Sequence, residues 1–164
     1  MKYNNIKSAF TLIELLVVIA IIGIGSYTLS STVSNNSKIK IKSKKEAYSL
    51  YSFISRKSQE AFSEGKKLDI TIKYNEIKSE NEDGSFDENL TLNTNFIYII
   101  NGTILDNSDN SEEFSIKKNK IFNKDVEIIV SKNNENLQQI KLYKITGFIE
   151  RNHIDFNKNW ISEW

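Results

Sequence analysis

The chain has 164 residues, and its 22 Lys and Arg against 21 Asp and Glu give a formal net charge of +1, a balance that does not favour nucleic-acid binding. It contains no cysteine, which excludes disulfide frameworks, Cys-based metal sites and Cys–His catalysis. The length fits one domain, and residues 66–164 are enough for a modest hydrophobic core.

The first predicted element is an apolar segment that follows a short basic leader, residues 1–9. Residues 10–29 reach the length of about 20 mostly apolar residues that a transmembrane helix needs. Glu14 is the only charged residue among them. Because a carboxylate in lipid is energetically costly, a lone acid at this position predicts a functional role. The alternatives are an ordinary signal anchor with an incidental Glu and a secretory signal peptide, for which the apolar run is too long and begins too abruptly.

This segment resembles the class III signal of type IV prepilins and of type II secretion pseudopilins. The matching residues are 10–14, Phe-Thr-Leu-Ile-Glu, followed by the apolar run to Gly23. The resemblance implies that a prepilin peptidase cuts between Ala9 and Phe10 and methylates the new amine of Phe10. Ala9 departs from the Gly that the family usually has before the cut, but Ala is also small.

The resemblance also implies a role for Glu14 in assembly. After cleavage, Glu14 lies one helical turn from the amine of Phe10. Staggered parallel helices could pair Glu14 of one subunit with the amine of its neighbour, and such pairing makes a buried charge tolerable. The partners implied are other pilin or pseudopilin subunits, the prepilin peptidase and an inner-membrane assembly platform.

The charges that flank the apolar segment conflict over its orientation. Lys2 and Lys7 precede it, whereas five lysines follow within residues 38–45. A plain positive-inside count favours a cytoplasmic C-terminal part. The uncharged spacer of residues 30–37 and the family resemblance favour the opposite: a single-pass protein of the bacterial inner membrane, with its C-terminal domain in the periplasm or in a surface filament.

Residues 30–65 are predicted to continue the helix in amphipathic form. A stripe of apolar residues recurs at spacings of three, four and seven: Ala47, Leu50, Tyr51, Ile54, Ala61 and Phe62. We interpret this stripe as a face packed on a sheet, and we place Lys44, Lys45, Arg56 and Lys57 on the opposite, solvated face. Gly65 is a natural stop for the helix.

After Gly65 the pattern changes to a period of two, which predicts β-strands. The predicted strands are residues 68–74, 90–100, 103–105, 114–116, 126–130 and 140–149, with a hairpin turn at Asn101-Gly102. Residues 75–89 and 106–113 are predicted as acidic loops. The predicted fold is therefore α+β and pilin-like, with a long N-terminal helix packed on an antiparallel sheet formed by the domain of residues 66–164.

Two further stretches are similar to the GspH/FimT group of minor pseudopilins. Residues 55–61, Ser-Arg-Lys-Ser-Gln-Glu-Ala, followed by Gly65 and by residues 68–72, resemble its helix-to-strand junction. Residues 145–149, Ile-Thr-Gly-Phe-Ile, are similar to its closing strand. The resemblance implies a minor pilin or pseudopilin, a structural subunit that assembles into or primes a type IV pilus-like or type II secretion filament.

The sequence gives little support to an enzyme or a metalloprotein. His153 is the only histidine, and we interpret it as an exposed residue; no catalytic residues, cofactor or metal site are predicted. Oxygen ligands for calcium are present but match no EF-hand spacing, so solvated loops are the preferred interpretation. They are Asn81, Glu82, Asp83, Asp87, Asp106, Asp109, Glu112 and Glu113.

The alternative function is a FimT-like minor pilin that binds extracellular DNA for uptake. Phosphate contacts need exposed cations. Removal of Lys2 and Lys7 with the leader leaves 20 basic and 21 acidic side chains, a net charge of −1. Near the C-terminus the available cations are Lys141, Lys144, Arg151 and Lys158. Nucleic acid is therefore not the favoured partner. Trp160 and Trp164 are predicted either to share one helical face at a contact or to pack back onto the sheet.

Overall fold

The computed structural model describes residues 12–106, 109–154 and 159–163, and the side chains of residues 23–34, 154 and 163 also lie outside this description. Within these residues one helix, α1 (Leu12–Ser63), precedes all the strands. The strands are β1 (Leu68–Lys73), β2 (Glu76–Asn81), β3 (Phe86–Thr91), β4 (Ile97–Ile100), β5 (Thr103–Leu105), β6 (Ser111–Ile116), β7 (Val126–Lys132), β8 (Glu135–Leu142), β9 (Ile149–Ile154) and β10 (Trp160–Glu163). The chain divides into two compact units, Met1–Ile39 and Lys40–Trp164.

The C-terminal end of α1 is closed by Gly65, as the sequence predicts. Gly65 has a φ of +64°, a conformation that a side chain disfavours. Its N–H donates to the carbonyl of Phe62 at 3.4 Å, and the N–H of Lys66 donates to the carbonyl of Ala61 at 3.1 Å. This pair of bonds is the Schellman motif, which satisfies carbonyls that the last helical turn leaves open.

The strands of the second unit form two antiparallel sheets. Their orders are β3–β2–β1–β6 and β10–β9–β8–β7–β4–β5. The prediction of a helix followed by antiparallel strands, an α+β fold, is confirmed, but the single sheet that we predicted is in fact two. The chain moves from the first sheet to the second after β3, returns to the first for β6, and then completes the second.

The apolar core of the second unit draws on α1 and on both sheets. Alternation along β1 buries Leu68, Ile70 and Ile72. On α1 the predicted stripe is buried at Ala47, Leu50, Ile54 and Ala61.

Two positions on this helix reverse their predicted exposure. Phe62 is 58% exposed, whereas Lys57, assigned to the solvated face, is only 2% exposed. The ammonium of Lys120 lies 4.8 Å from the centre of the Phe62 ring and covers part of it. Lys57 is buried because Glu60 of α1 and two carboxylates of β3 surround its ammonium, as described below.

The prediction of an acidic loop over residues 75–89 is wrong. These residues form β2, a turn at residues 82–85, and most of β3. The period of two is hard to recognise because the buried positions of β2 are Ile77 and Ser79 alone, and Ser79 is polar. The hydroxyl of Ser79 donates to Asp87 Oδ2 at 2.5 Å, which satisfies it inside the sheet.

Other strand boundaries also differ from the prediction. Residues 140–149 are the end of β8, a turn and the first residue of β9, with Gly147 in that turn at a φ of +66°. Residues 90–100 divide between β3 and β4, and β6 begins inside the predicted loop of residues 106–113. The predicted hairpin turn at Asn101-Gly102 is confirmed, since both residues have positive φ and join β4 to β5.

The C-terminal tail is a strand and not a helix. Trp160 pairs with Ile154, so β10 extends the second sheet by one edge strand. The prediction that the tail packs back onto the sheet is thus confirmed for Trp160, and Trp164 lies outside the described residues. His153, predicted to be exposed, is half-buried in β9 opposite Gln138 and Ile161.

Candidate functional site

The first turns of α1 carry aliphatic side chains that are exposed all round the helix. Between Leu12 and Ile22 every one of the nine large aliphatic side chains is exposed, from 43% at Val18 to 79% at Leu12. A helix that is apolar on all sides is found where lipid or other protein covers it. This segment therefore needs lipid or other protein to cover it, and Glu14 lies within its first turn.

The residues assigned to processing fall on both sides of the point where the described residues begin. Ala9 and Phe10, the predicted cleavage site and methylation site, are outside the described residues, and Glu14 is inside them. In the described part of the chain, no helix is long and apolar enough to qualify as a membrane span. The membrane segment over residues 10–29 and the assembly role of Glu14 stay predictions.

A second feature is an ion cluster where the end of α1 meets the β2–β3 hairpin. The ammonium of Lys57 lies 2.6 Å from Asp87 Oδ2, 2.8 Å from Glu60 Oε2 and 3.0 Å from Glu88 Oε2. Burial alone lowers the pKa of Lys57, but hydrogen bonds to the three carboxylates outweigh burial and raise it. Lys57 is therefore held charged inside the domain.

Two further cations complete the cluster. The guanidinium of Arg56 donates two parallel hydrogen bonds to Glu88, at 2.5 and 2.7 Å. These bonds are the main reason that the pKa of Glu88 falls to about 2. The ammonium of Lys66 lies 2.8 Å from Glu60 Oε1, and its pKa is raised chiefly by hydrogen bonds to Glu60 and Glu64.

The geometry of the cluster is that of a structural ion network that links α1 to β3, and not that of an active site. Each carboxylate already faces at least one ammonium or guanidinium, so none is poised to take a proton near neutral pH. Among the described residues, no group of three or more His, Asp or Glu side chains could hold a metal ion. Of the residues considered for calcium, Asp87 faces Lys57 and Glu112 faces Lys124 at 3.2 Å.

A second set of hydrogen bonds joins α1 to β4 and to the residues before it. Glu46 Oε1 accepts hydrogen bonds from the hydroxyl of Tyr98 at 2.7 Å and from the N–H of Asn93 at 2.9 Å. Tyr98 is fully buried, and burial followed by the bond to Glu46 raises its pKa. The only acid between Leu15 and Gln59 is therefore directed into the domain.

The cations considered for DNA binding do not form one surface. In the register of β8 and β9, Lys141 lies opposite Glu150, and Arg151 lies opposite the buried Ile140. Because neighbouring positions of a strand point to opposite faces, Lys141 and Arg151 project from opposite faces of the sheet. Arg151 lies over the ring of Tyr48 on α1, at 5.4 Å. Lys144 lies in the exposed turn after β8, and Lys158 is outside the described residues.

Sequence reasoning missed the ion cluster. The available signal was the i, i+3 pair of Lys57 and Glu60 close to the helix end. The sequence does not reveal the partners of this pair, because Asp87 and Glu88 lie about 30 residues further on, in a strand where the sequence predicts a loop.

Comparison with known families gives one match. Residues 4–26 match the prokaryotic N-terminal methylation motif. The match supports a signal of the type IV prepilin kind and indicates a pilin- or pseudopilin-type protein, and it is consistent with anchoring by the N-terminal region. Such a motif points to a structural subunit and not to an enzyme. No curated protein and no solved structure matches the chain.

Proposed function

We propose that the chain is a minor structural subunit, of the GspH/FimT-like pseudopilin group, that assembles into or primes a type IV pilus-like or type II secretion filament. One observation carries the proposal. The methylation motif of residues 4–26 overlaps a helical segment whose nine large aliphatic side chains are all exposed in the single chain. A signal for processing thus coincides with a surface that needs lipid or other subunits to cover it.

The proposed maturation has two steps. A prepilin peptidase removes residues 1–9 by cutting between Ala9 and Phe10 and methylates the Phe10 amine. Residues 10–29 hold the subunit in the inner membrane, with residues 66–164 outside the cytoplasm. During assembly, Glu14 pairs with the amine of a neighbouring subunit, because neither charge is stable alone in an apolar environment.

The assembly role of Glu14 is tested by Glu14→Ala, with Glu82→Ala in the exposed β2–β3 turn as a matched loss of one carboxylate. We expect Glu14→Ala to leave membrane insertion intact or improved, since a charge is removed from lipid. Incorporation into sheared filaments should fall for Glu14→Ala alone. Wild-type incorporation of Glu14→Ala, measured by immunoblot of membrane and filament fractions, would contradict a pairing role.

The competing function is DNA capture by a FimT-like minor pilin. The observation in its favour is the run of exposed lysines within residues 40–45. Two observations count against it: the near-neutral charge of the mature chain, and the projection of Lys141 and Arg151 from opposite faces of the sheet. A gel shift with the detergent-solubilised chain decides between the two. Salt-sensitive micromolar binding, lost either in Lys42→Gln/Lys45→Gln or in Arg151→Ala and Lys158→Ala, would establish DNA capture, and no shift at low salt would leave filament assembly.

A further inference from the structure

Three Asn-x-Ser/Thr triplets occur in the sequence, and only one of them combines exposure with an extended backbone. Such triplets are the acceptors for N-linked sugars in exported proteins. Their acceptor residues are Asn35, Asn89 and Asn101. Asn35 lies inside α1. Asn101 lies in the tight β4–β5 turn at a φ of +51°, and its Oδ1 accepts a hydrogen bond from the N–H of Glu127 at 2.9 Å. Asn89 is exposed in the middle of β3.

The side chain of Asn89 points away from the core of the second unit. In the register of β2 and β3, Asn89 lies opposite Lys78, whereas Leu90 lies opposite the fully buried Ile77. Because neighbouring positions of a strand face opposite sides of a sheet, Leu90 faces the core, and Asn89 faces solvent together with Thr91. Among the described residues, the side-chain amide of Asn89 has no hydrogen-bond partner. The acceptor amide and the hydroxyl of its triplet are therefore presented on one open face.

The strand that carries Asn89 is also an edge strand. The first sheet ends at β3, and in the part of the chain that the structure describes no strand pairs with its outer side. The opposite edge, β6, is partly covered, because the N–H of Asn123 donates to the carbonyl of Ser115 at 3.0 Å. An uncovered edge can pair with another chain, and proteins usually block such edges. Phe86, at the start of β3, is 59% exposed and adds apolar area to this edge. A bulky polar group on β3 would keep other chains away from it.

An acid precedes only one of the three triplets. Asp87 stands two residues before Asn89. The residues two before the other acceptors are apolar, Val33 and Ile99. A carboxylate at a fixed distance from the acceptor gives a modifying enzyme a charge that an Arg or a Lys can bind. In the folded chain, Asp87 Oδ2 lies 2.6 Å from the ammonium of Lys57. The enzyme must therefore meet this segment before the β2–β3 hairpin closes on α1, which is at the membrane during export.

We propose that Asn89 is a site of N-linked glycosylation, an inference that rests on the proposed function, which places residues 66–164 outside the cytoplasm. The donor is an oligosaccharide linked to a polyprenyl diphosphate, and a membrane oligosaccharyltransferase transfers it. A bond forms between Asn89 Nδ2 and the anomeric carbon of the sugar, and the bond from that carbon to the diphosphate oxygen breaks. The polyprenyl diphosphate leaves with the electron pair, and the proton lost from the amide nitrogen balances the added charge.

The consequence of the sugar is protection of the β3 edge. The sugar leaves the core and the ion cluster unchanged, because Asn89 faces solvent. It hinders the approach of a second copy of the chain to the unpaired backbone of β3. The unglycosylated Asn89→Gln chain in detergent should therefore form dimers or larger species at concentrations where the glycosylated chain is monomeric, as measured by light scattering. Equal association of the two forms would contradict the protective role.

The test uses the full chain, purified in detergent from the membranes of the cells that produce it naturally. Chymotrypsin cuts after Phe86 and Phe96, which separates Asn89 from both other acceptors. Mass spectrometry with electron-transfer fragmentation keeps sugars attached to the peptide. It should find the added mass of an oligosaccharide on Asn89 in peptide 87–96, and on neither Asn35 nor Asn101. Cells that lack the oligosaccharyltransferase should yield the same peptide without the added mass.

Variants at the third position of the triplet test whether the whole triplet is recognised. Thr91→Ala should abolish the modification although Asn89 is kept, whereas Thr91→Ser should retain it, because either hydroxyl completes the triplet. Thr94→Ala is the matched control. It removes another exposed threonine of the same segment, outside any triplet, and should leave the modification unchanged.

The outcomes are distinct. An unmodified Asn89 overturns the proposal, and so does a sugar on Asn35 or Asn101 in its place. A sugar mass that persists in Asn89→Gln also overturns it, because a hydroxyl would then carry the sugar. The N-terminal peptide of the same sample reports the proposed function separately. A chain that begins at methylated Phe10 with an unmodified Asn89 refutes the site alone, whereas a glycosylated Asn89 on a chain that retains Met1 supports the site and refutes the proposed processing.

Discussion

Replacement of Lys57 by Met tests whether the buried ion cluster stabilises the domain. Lys57→Met keeps the length of the side chain but removes an ammonium whose side chain is 3% exposed and which faces three carboxylates. Loss of one partner from a buried ion pair costs roughly 3–5 kcal/mol, because the other charge stays buried. Here Glu88 keeps Arg56, Glu60 keeps Lys66, and Asp87 keeps the hydroxyl of Ser79. We therefore expect the lower end, about 3 kcal/mol.

The assay is urea unfolding of the full chain in mild detergent, with Arg56→Met as the matched control. Arg56 is bonded to the same carboxylate, Glu88, but the Arg56 and Glu88 side chains are 52% and 39% exposed, so its loss should cost only about 0–1 kcal/mol. Equal costs for Lys57→Met and Arg56→Met, or a Lys57→Met variant as stable as the parent, would refute the account of the cluster.

Three further variants test separate contacts. The pKa of Glu88 falls from its ordinary 4.5 to about 2, so its stabilising contribution is complete above about pH 4.5 and is lost as the pH falls towards 2; Glu88→Gln should flatten the acid limb of a pH–stability curve. Gly147→Ala would bring a Cβ into collision with the carbonyl oxygen of Lys120 and should cost more than Gly84→Ala, where φ is also positive but nothing lies within 4 Å. Thermal unfolding that ranks the two variants equally would contradict the close approach. Tyr98→Phe removes the hydroxyl that donates to Glu46 and should lower the free energy of unfolding in urea by about 1 kcal/mol. An unchanged free energy of unfolding would contradict a stabilising role for this hydrogen bond.

The parts of the fold that sequence predicted are those decided by local chemistry. Gly65 ends the helix and Asn101-Gly102 forms a hairpin turn because each needs a positive φ that few residues adopt. The stripe through Ala47, Leu50 and Ile54 is buried because the helix period sets its face.

The parts of the fold that the sequence does not predict depend on partners that are distant along the chain. The sequence predicts a loop in place of β2 because Ser79 occupies a buried position, and only its bond to Asp87 makes that burial favourable. Lys57 also depends on distant partners: the sequence predicts a solvated lysine, and it is the three carboxylates around the ammonium that make its burial acceptable. For the candidate site, the motif of residues 4–26 and the apolar segment can be read from the sequence, whereas the ion cluster depends on where the fold places β3 beside α1.

The measurement that tests the central claim most directly is the mass of the N-terminal peptide of the mature protein, isolated from the membrane of cells that contain a prepilin peptidase. The account predicts that the chain begins at Phe10 and that the Phe10 amine carries one methyl group. In cells without the peptidase, the same peptide should retain residues 1–9. An intact Met1 in the presence of the peptidase, or a cut after Ser26 by ordinary signal peptidase, would contradict the account.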